Sequence, residues 1–269
     1  MTGAPGSTGQ APRGVLIVTG TGTGVGKTVV TAAVAALARE RGDRVAVVKP
    51  AQTGAAVPPG HARWKGQDIG HADGAAATHG EPADLETVRR LSGVTDLHEL
   101  ARFPDPLSPE AAARVSGLPP LDLADAAAAI TALASSRDLV LVEGAGGLLV
   151  RYDKTGATLA DLAVMLAAPV LVVTAAGLGT LNHTALTLEA IAARGLGLAG
   201  VVIGAWPRDP GLADRENLTD LETVAGAPLA GLLPAGSGSL APAEFRAVAE
   251  HGLGRGLGGS FGTGTVYRS

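Results

Sequence analysis

Residues 14–28 read Gly14-Val-Leu-Ile-Val-Thr-Gly-Thr-Gly-Thr-Gly-Val-Gly-Lys-Thr28, a short apolar run, a glycine-rich loop and then Gly-Lys-Thr at the head of an Ala/Val/Leu-rich stretch. In that order they predict a buried strand, a phosphate-binding loop and a helix. The glycines let consecutive amides converge on one anion, the helix N-terminus adds partial positive charge, and Lys27 reaches the terminal phosphates. Thr28 is then placed to ligate Mg²⁺. Gly20 and Gly26 enclose five residues rather than the usual four, with Thr21 where the first glycine is expected. A plain strand-to-helix turn would not need Lys-Thr at its end. The same Lys-Thr favours a nucleoside triphosphate over a dinucleotide, although Gly20, Gly22 and Gly26 lie close to a Gly-x-Gly-x-x-Gly pattern.

Outward from this loop, short apolar runs recur with helical stretches between them. The runs are Val15–Thr19, Arg44–Val48, Leu139–Val142, Val170–Thr174, Gly200–Ile203 and Leu229–Leu232. They are continuous rather than alternating, so both sheet faces should be covered, as right-handed βαβ crossovers arrange. Helices are expected at 28–41, 84–92, 109–116, 121–136, 158–167, 181–194, 212–225 and 241–250. The predicted fold class is α/β, a doubly wound, mostly parallel sheet of the P-loop type in three layers. The 269 residues suit one such domain, spanning 14–250. Residues 1–13 read as a disordered arm, 55–80 as an inserted loop without periodicity, and 251–269 as a flexible Gly-rich tail.

Composition limits the possible partners. A net charge of −4 offers no basic field for nucleic acid or an anionic membrane, and the absence of cysteine removes disulfides, thiolate nucleophiles and cysteine metal sites. The N-terminal residues show no apolar stretch of signal-peptide or membrane-span kind, which predicts a cytoplasmic protein.

In doubly wound sheets the chemistry gathers beyond the carboxyl ends of the strands. Glu143 closes one apolar run there and supplies a hard oxygen for Mg²⁺; Gly144-Ala-Gly-Gly147 follows and lets a ligand approach the backbone. Lys49 closes another run, where its ammonium can meet a γ-phosphate and an anionic acceptor. Thr53, four residues on, can hydrogen-bond that acceptor. These are the parts of phosphoryl transfer, and residue chemistry alone leaves open whether the acceptor is water, a carboxylate or a carbamate.

At Gly20–Val30, Val48-Lys-Pro-Ala-Gln-Thr-Gly54, Pro106-Leu-Ser-Pro109, Val142-Glu-Gly-Ala-Gly-Gly147 and Gly179-Thr-Leu-Asn-His183 the chain resembles the dethiobiotin synthetases, over residues 14 to about 250. The resemblance implies a homodimeric cyclo-ligase that joins CO₂ to 7,8-diaminopelargonate with ATP or another nucleoside triphosphate and Mg²⁺. A carbamate forms on one amine and attacks the γ-phosphate; the second amine then closes the ureido ring on the mixed anhydride. Carried onto this chain, Lys27 and Lys49 stabilise charge on phosphates and carbamate. Thr23 and the loop amides of Gly24, Val25 and Gly26 line the phosphates, and Thr53 contacts the substrate. Thr28, Glu143 and an aspartate after the Lys-Pro motif hold the metal. Asp68 and Asp84 compete for that last role; Asp84 is preferred because Asp-Leu-Glu-Thr-Val looks like the family's acid-then-helix stretch. Asp68, Asp73, His61, His71 and His79 then belong to the insertion. Gly144, Ala145 and Gly146 follow Glu143 along the nucleotide. Thr180 is expected to cap a helix whose Leu181 and Asn182 amides take the substrate carboxylate from the other subunit's site. Gly204-Ala-Trp-Pro207 replaces the asparagine that reads adenine in many members, so Gly204, Ala205, Pro234, Ala235 and Gly236 border the base through backbone groups and strict ATP preference is in doubt.

Two other readings share this fold. A partition or septum-type switch ATPase would place a signature lysine where this chain has Gly22. A cobyrinate-type amide synthetase would bring a glutamine-hydrolysing domain with a cysteine nucleophile, which this chain lacks.

Overall fold

The computed structural model describes residues 11–56 and 83–262. Seven strands form one sheet: β1 (Gly14–Gly20), β2 (Val45–Lys49), β3 (Leu97–Glu99), β4 (Leu139–Gly147), β5 (Val170–Thr174), β6 (Leu198–Trp206) and β7 (Gly231–Pro234). Their order across the sheet is β3-β2-β4-β1-β5-β6-β7, and every pairing is parallel. Helices α1 (Lys27–Glu40), α2 (Asp84–Ser92), α3 (Pro109–Ser116), α4 (Leu123–Ala134), α5 (Leu159–Met165), α6 (Thr180–Ala193), α7 (Leu212–Ala225) and α8 (Pro242–Gly252) complete the described part.

Successive strand residues feed opposite cores. Leu16 and Val18 of β1, with Leu139 and Leu141 of β4, pack under α1, α2 and α8 against Val34, Val88 and Phe245. Ile17, Val140 and Val142 face the other way, toward Ile130, Leu162 and Leu218 of α4, α5 and α7. Burial on both faces is why these runs are continuously apolar, and it gives the three layers expected from the sequence. No helix among the described residues is long and apolar enough to cross a membrane.

Four local expectations are corrected. The three-residue edge strand β3 is additional; it pairs Val47 with Leu97 and Lys49 with Glu99, too short to leave a sequence period. β4 runs on through Glu143 to Gly147, because Glu143 pairs in register with Val18 and Gly147 with Gly20. β7 begins two residues later than predicted, with Gly231 opposite Val202. Residues 251–262 are packed rather than a loose tail: Leu253 and Leu257 are buried, Gly231 bridges Leu253, and the Gly254 amide donates to the Ala230 carbonyl at 2.8 Å. Two leucines spaced among glycines suffice to anchor that segment, since the glycines allow the backbone to lie directly on β7. Residues 1–10, 57–82 (with most of the expected insertion) and 263–269 lie outside the described residues.

Candidate active site

The loop after β1 reaches α1 through Gly24 and Gly26, both in the left-handed backbone region at φ 76° and 95°. Gly26 is also held there by space: a Cβ on it would lie 2.5 Å from the Gly204 carbonyl oxygen, and one on Gly204 would lie 2.1 Å from the Val25 carbonyl oxygen. Gly204 at the end of β6 therefore forms the floor beneath the phosphate loop. Ala205, Pro234, Ala235 and Gly236 are exposed beside it, and the Ala235 amide donates to the Trp206 carbonyl at 2.6 Å, joining the ends of β6 and β7. Thr23 stands exposed at the loop tip, near Gly146. Buried Lys27, the first residue of α1, donates to the Gly22 carbonyl at 2.9 Å, across the loop it follows.

Lys49, Asp84 and Glu143 meet in front of Thr28. Lys49 is 3% exposed at the end of β2; its Nζ lies 2.9 Å from Glu143 Oε1, 2.5 Å from Asp84 Oδ2 and 3.2 Å from the Gly144 carbonyl. The Thr28 hydroxyl lies 3.0 Å from Asp84 Oδ1 and 2.9 Å from Glu143 Oε1. Burial acts to lower the basicity of Lys49, but the two carboxylates reverse this and push its pKa above the ordinary lysine value. Burial raises and Lys49 lowers the Asp84 pKa, and the net result is a carboxyl below its usual range. Lys27 is lowered by burial and by the neighbouring Lys49 charge. The site therefore holds two ammonium groups against two carboxylates.

Two residues without an assigned role complete this arrangement. Gln52, buried after β2, accepts from the Asp84 amide at 3.2 Å and donates to the Thr53 carbonyl at 3.1 Å, fixing the start of α2 where Asp84 stands. Tyr152, fully buried, accepts from the Ala145 amide at 3.1 Å and so holds the Gly144–Gly146 turn. Gln52 belongs to the Val48–Gly54 stretch but carries no charge that marks it, and Tyr152 gives no local signal. Thr53 is half-buried beside Gln52, while Leu181 and Asn182 lie on the first turn of α6. The cap of that helix is Gly179, not Thr180; Thr180 is its first residue and turns its hydroxyl inward to the Ala175 carbonyl. A glycine cap has no side chain to bond the first amides.

The donor set fits a magnesium ion. Thr28, Asp84 and Glu143 place hard oxygens together, and Glu143 Oε2 is buried with no hydrogen-bond partner among the described residues. Those residues contain no cluster of three His, Asp or Glu side chains able to hold a metal unaided. That suits an ion that usually takes one or two carboxylates and completes its shell with phosphates and water. Asp68 and the insertion histidines lie outside the described residues.

Between Gly147–Val150 and the His183, Leu186 and Thr187 face of α6, a mostly apolar groove of about 300 Å³ opens beside Gly20 and Thr21. Leu149 and Leu186 at its rim are half-exposed, and Leu178 just before α6 is 91% exposed.

A phosphate loop seated on a seven-stranded parallel sheet, with a lysine–carboxylate cluster at its mouth, defines a P-loop nucleotide-dependent protein. A family model described as an AAA domain matches residues 14–242. The fold is also that of the septum site-determining protein MinD complexed with Mg-ADP from Pyrococcus horikoshii, at TM-score 0.52 and 19% identity over 87% of this chain and 88% of the other. A ParA family ATPase from Chlorobium tepidum matches at TM-score 0.50 and 17% identity, over 88% and 92%. These likenesses establish the architecture. Sequence relatives are far nearer: the ATP-dependent dethiobiotin synthetase of Frankia casuarinae is 63% identical over 91% of this chain and 94% of its own length. That of Streptomyces coelicolor is 54% identical over 92% and 94%. The chain belongs to the ATP-dependent dethiobiotin synthetase family, whose members are cyclo-ligases forming carbon–nitrogen bonds.

Proposed function

We propose that this chain closes the ureido ring of dethiobiotin from diaminopelargonate and CO₂, by way of a carbamate that attacks the γ-phosphate of a bound nucleoside triphosphate. The observation that carries the reading is Lys49. A second ammonium, fixed by Asp84 and Glu143 at the mouth of the phosphate loop, suits a reaction whose acceptor is itself an anion. Lys27 neutralises the β- and γ-phosphates, and the amides of Gly24, Val25 and Gly26 hold them in line. Lys49 screens the carbamate from the phosphate it approaches, Thr53 and Thr23 orient the reacting ends, and the Gly144–Gly146 turn lets the nucleotide lie against backbone. Magnesium held by Thr28, Asp84 and Glu143 would supply charge neutralisation at the phosphates. Gly204, Ala205 and Pro234–Gly236 border the base through backbone groups, and Gly204-Ala-Trp-Pro207 stands where many members place the asparagine that reads adenine, so strict ATP preference is not expected.

The apolar groove suits the aliphatic chain of diaminopelargonate. The exposed Leu178 and Leu186 with the open α6 N-terminus suit a homodimer in which Leu181 and Asn182 amides bind the carboxylate of substrate in the neighbouring site. The reaction is that of a soluble cytoplasmic enzyme. Incubation with diaminopelargonate, bicarbonate, Mg²⁺ and each nucleotide in turn should give dethiobiotin by mass spectrometry. Nucleotide hydrolysis indifferent to the diamine would instead point to the switch-ATPase reading, which Gly22 already disfavours.

A further inference from the structure

Four threonine hydroxyls join the phosphate loop to the first turn of α6. Thr174 ends β5 fully buried; its Oγ1 lies 2.6 Å from that of Thr180, 2.9 Å from that of Thr184 and 3.3 Å from that of Thr21. Thr180 and Thr184 are likewise buried, and Thr21 is half-buried in the loop.

Hydrogen counting fixes the direction of these bonds. A carbonyl can only accept, so the single Thr180 hydroxyl proton goes to the Ala175 carbonyl, 2.7 Å away. Thr180 must then accept from Thr174. The Thr174 proton is thereby spent, so Thr174 accepts from both Thr184 and Thr21. Each hydroxyl has one proton and each has one place to send it. From the other side, buried Asn217 of α7 donates to the Ala176 and Gly177 carbonyls at 2.7 and 3.1 Å, which clamps the β5–α6 connection between two helices.

We propose that Thr174 is a positioning residue: through this directed set of hydroxyls it fixes the open first turn of α6 relative to the phosphate loop, and so sets how tightly the substrate carboxylate is held. The inference rests on the reading that the Leu181 and Asn182 amides receive that carboxylate. In the proposed dimer this turn serves the neighbouring active site. The hydroxyl set then runs from one subunit's phosphate loop to the other subunit's substrate.

The test uses the full-length enzyme. Thr174→Val keeps shape but removes the hub, leaving Thr184 and Thr21 donating to nothing and Thr180 without its donor. The KM for diaminopelargonate should rise about tenfold, the loss of roughly one well-placed buried hydrogen bond, while kcat and the KM for the nucleotide stay within about twofold. Thr174→Ser should restore the KM. The decarboxylated analogue, an alkane with the same vicinal diamine and no carboxylate, should bind the wild-type enzyme more weakly than diaminopelargonate and should bind Thr174→Val as it binds wild type. Thr180→Val, which breaks the same set one step further on, should repeat the pattern and replaces Thr174→Val if that variant does not fold. An unchanged diaminopelargonate KM in the folded variant, or a rise not cured by serine, overturns the role of Thr174 alone. A wild-type enzyme that binds acid and analogue equally overturns the carboxylate reading of α6, and the proposal with it.

Discussion

Among the described residues, the polar side chains buried at the carboxyl edge of the sheet include charges on one side of β1 and are all neutral on the other. Toward β4 and β2 stand Lys49, Glu143 and, from α2, Asp84, joined by Thr28 of α1. Toward β5, β6 and β7 stand Thr174, Gly204 and Ala235, which act through hydroxyls, close backbone contact and main-chain hydrogen bonds. In the proposed reading the difference follows from the two ends of a nucleotide and, at Thr174, from the helix turn that takes the substrate carboxylate. Phosphates and their metal need strong, fixed charges, which are costly to bury unless paired; a base and a loop floor need shape. Charge removal should therefore strike turnover first, and changes on the neutral side should strike folding and binding first.

The largest effect is expected where both meet. Lys49→Met leaves buried Glu143 and half-buried Asp84 without their shared cation, so turnover should be nearly abolished and stability should fall by about 3–5 kcal/mol, seen in urea unfolding. Among the described residues Lys27 donates only to the Gly22 carbonyl, so Lys27→Ala should cost about a thousandfold in kcat/KM with a near-wild-type melting curve. A melted Lys27→Ala protein would break the comparison. Asp84→Asn should lower Mg²⁺-dependent activity about a hundredfold, an order comparable to losing one fixed stabilising group, while Asp68→Asn stays close to wild type. Its stability effect has a defined pH sign. The Asp84 carboxyl is held below its ordinary range, so it contributes stability above about pH 4 and loses it as pH falls through the lowered folded value. The stability gap between wild type and Asp84→Asn, followed by circular dichroism, should close on acidification.

On the neutral side, Gly204→Ala forces a methyl into the Val25 carbonyl and should destabilise by about 1–3 kcal/mol, raising the nucleotide KM more than it lowers kcat. Gln52→Ala should be mildest, about 1 kcal/mol and a modest rise in metal requirement, because it frees the Asp84 amide without touching a charge.

The sequence carried the phosphate loop, six of the strands and the charged residues because each of these is written locally. A glycine loop needs contiguous glycines, a buried strand needs a contiguous apolar run, and a strand-end lysine shows where its run stops. What joins them is not local. Lys49 and Glu143 are separated by 94 positions, Thr28 and Glu143 by 115, and Thr21 and Thr174 by 153, so their pairing becomes visible only once the sheet order sets β4 and β5 beside β1. Resemblance to the family bridged the second alone, by placing Thr28 and Glu143 on one metal. Thr174 closes an apolar run, where its hydroxyl leaves no sequence signal. Thr180 departs from expectation for a related reason: threonine is a good cap by type, but here Gly179 reaches the left-handed conformation and frees the hydroxyl to turn inward.

The packed segment after α8 has a consequence for aggregation. β7 is the last strand on its side, and an open last strand offers unpaired amides and carbonyls to any other extended chain. Here Leu253 bridges Gly231 and the Gly254 amide fills the Ala230 carbonyl, so the backbone of 253–254 lies where an intruding chain would start. Shortening the protein to end at residue 250 would leave the proposed catalytic groups in place yet uncover that template, and the shortened protein should associate into larger species on warming while its specific activity in fresh preparations stays close to normal.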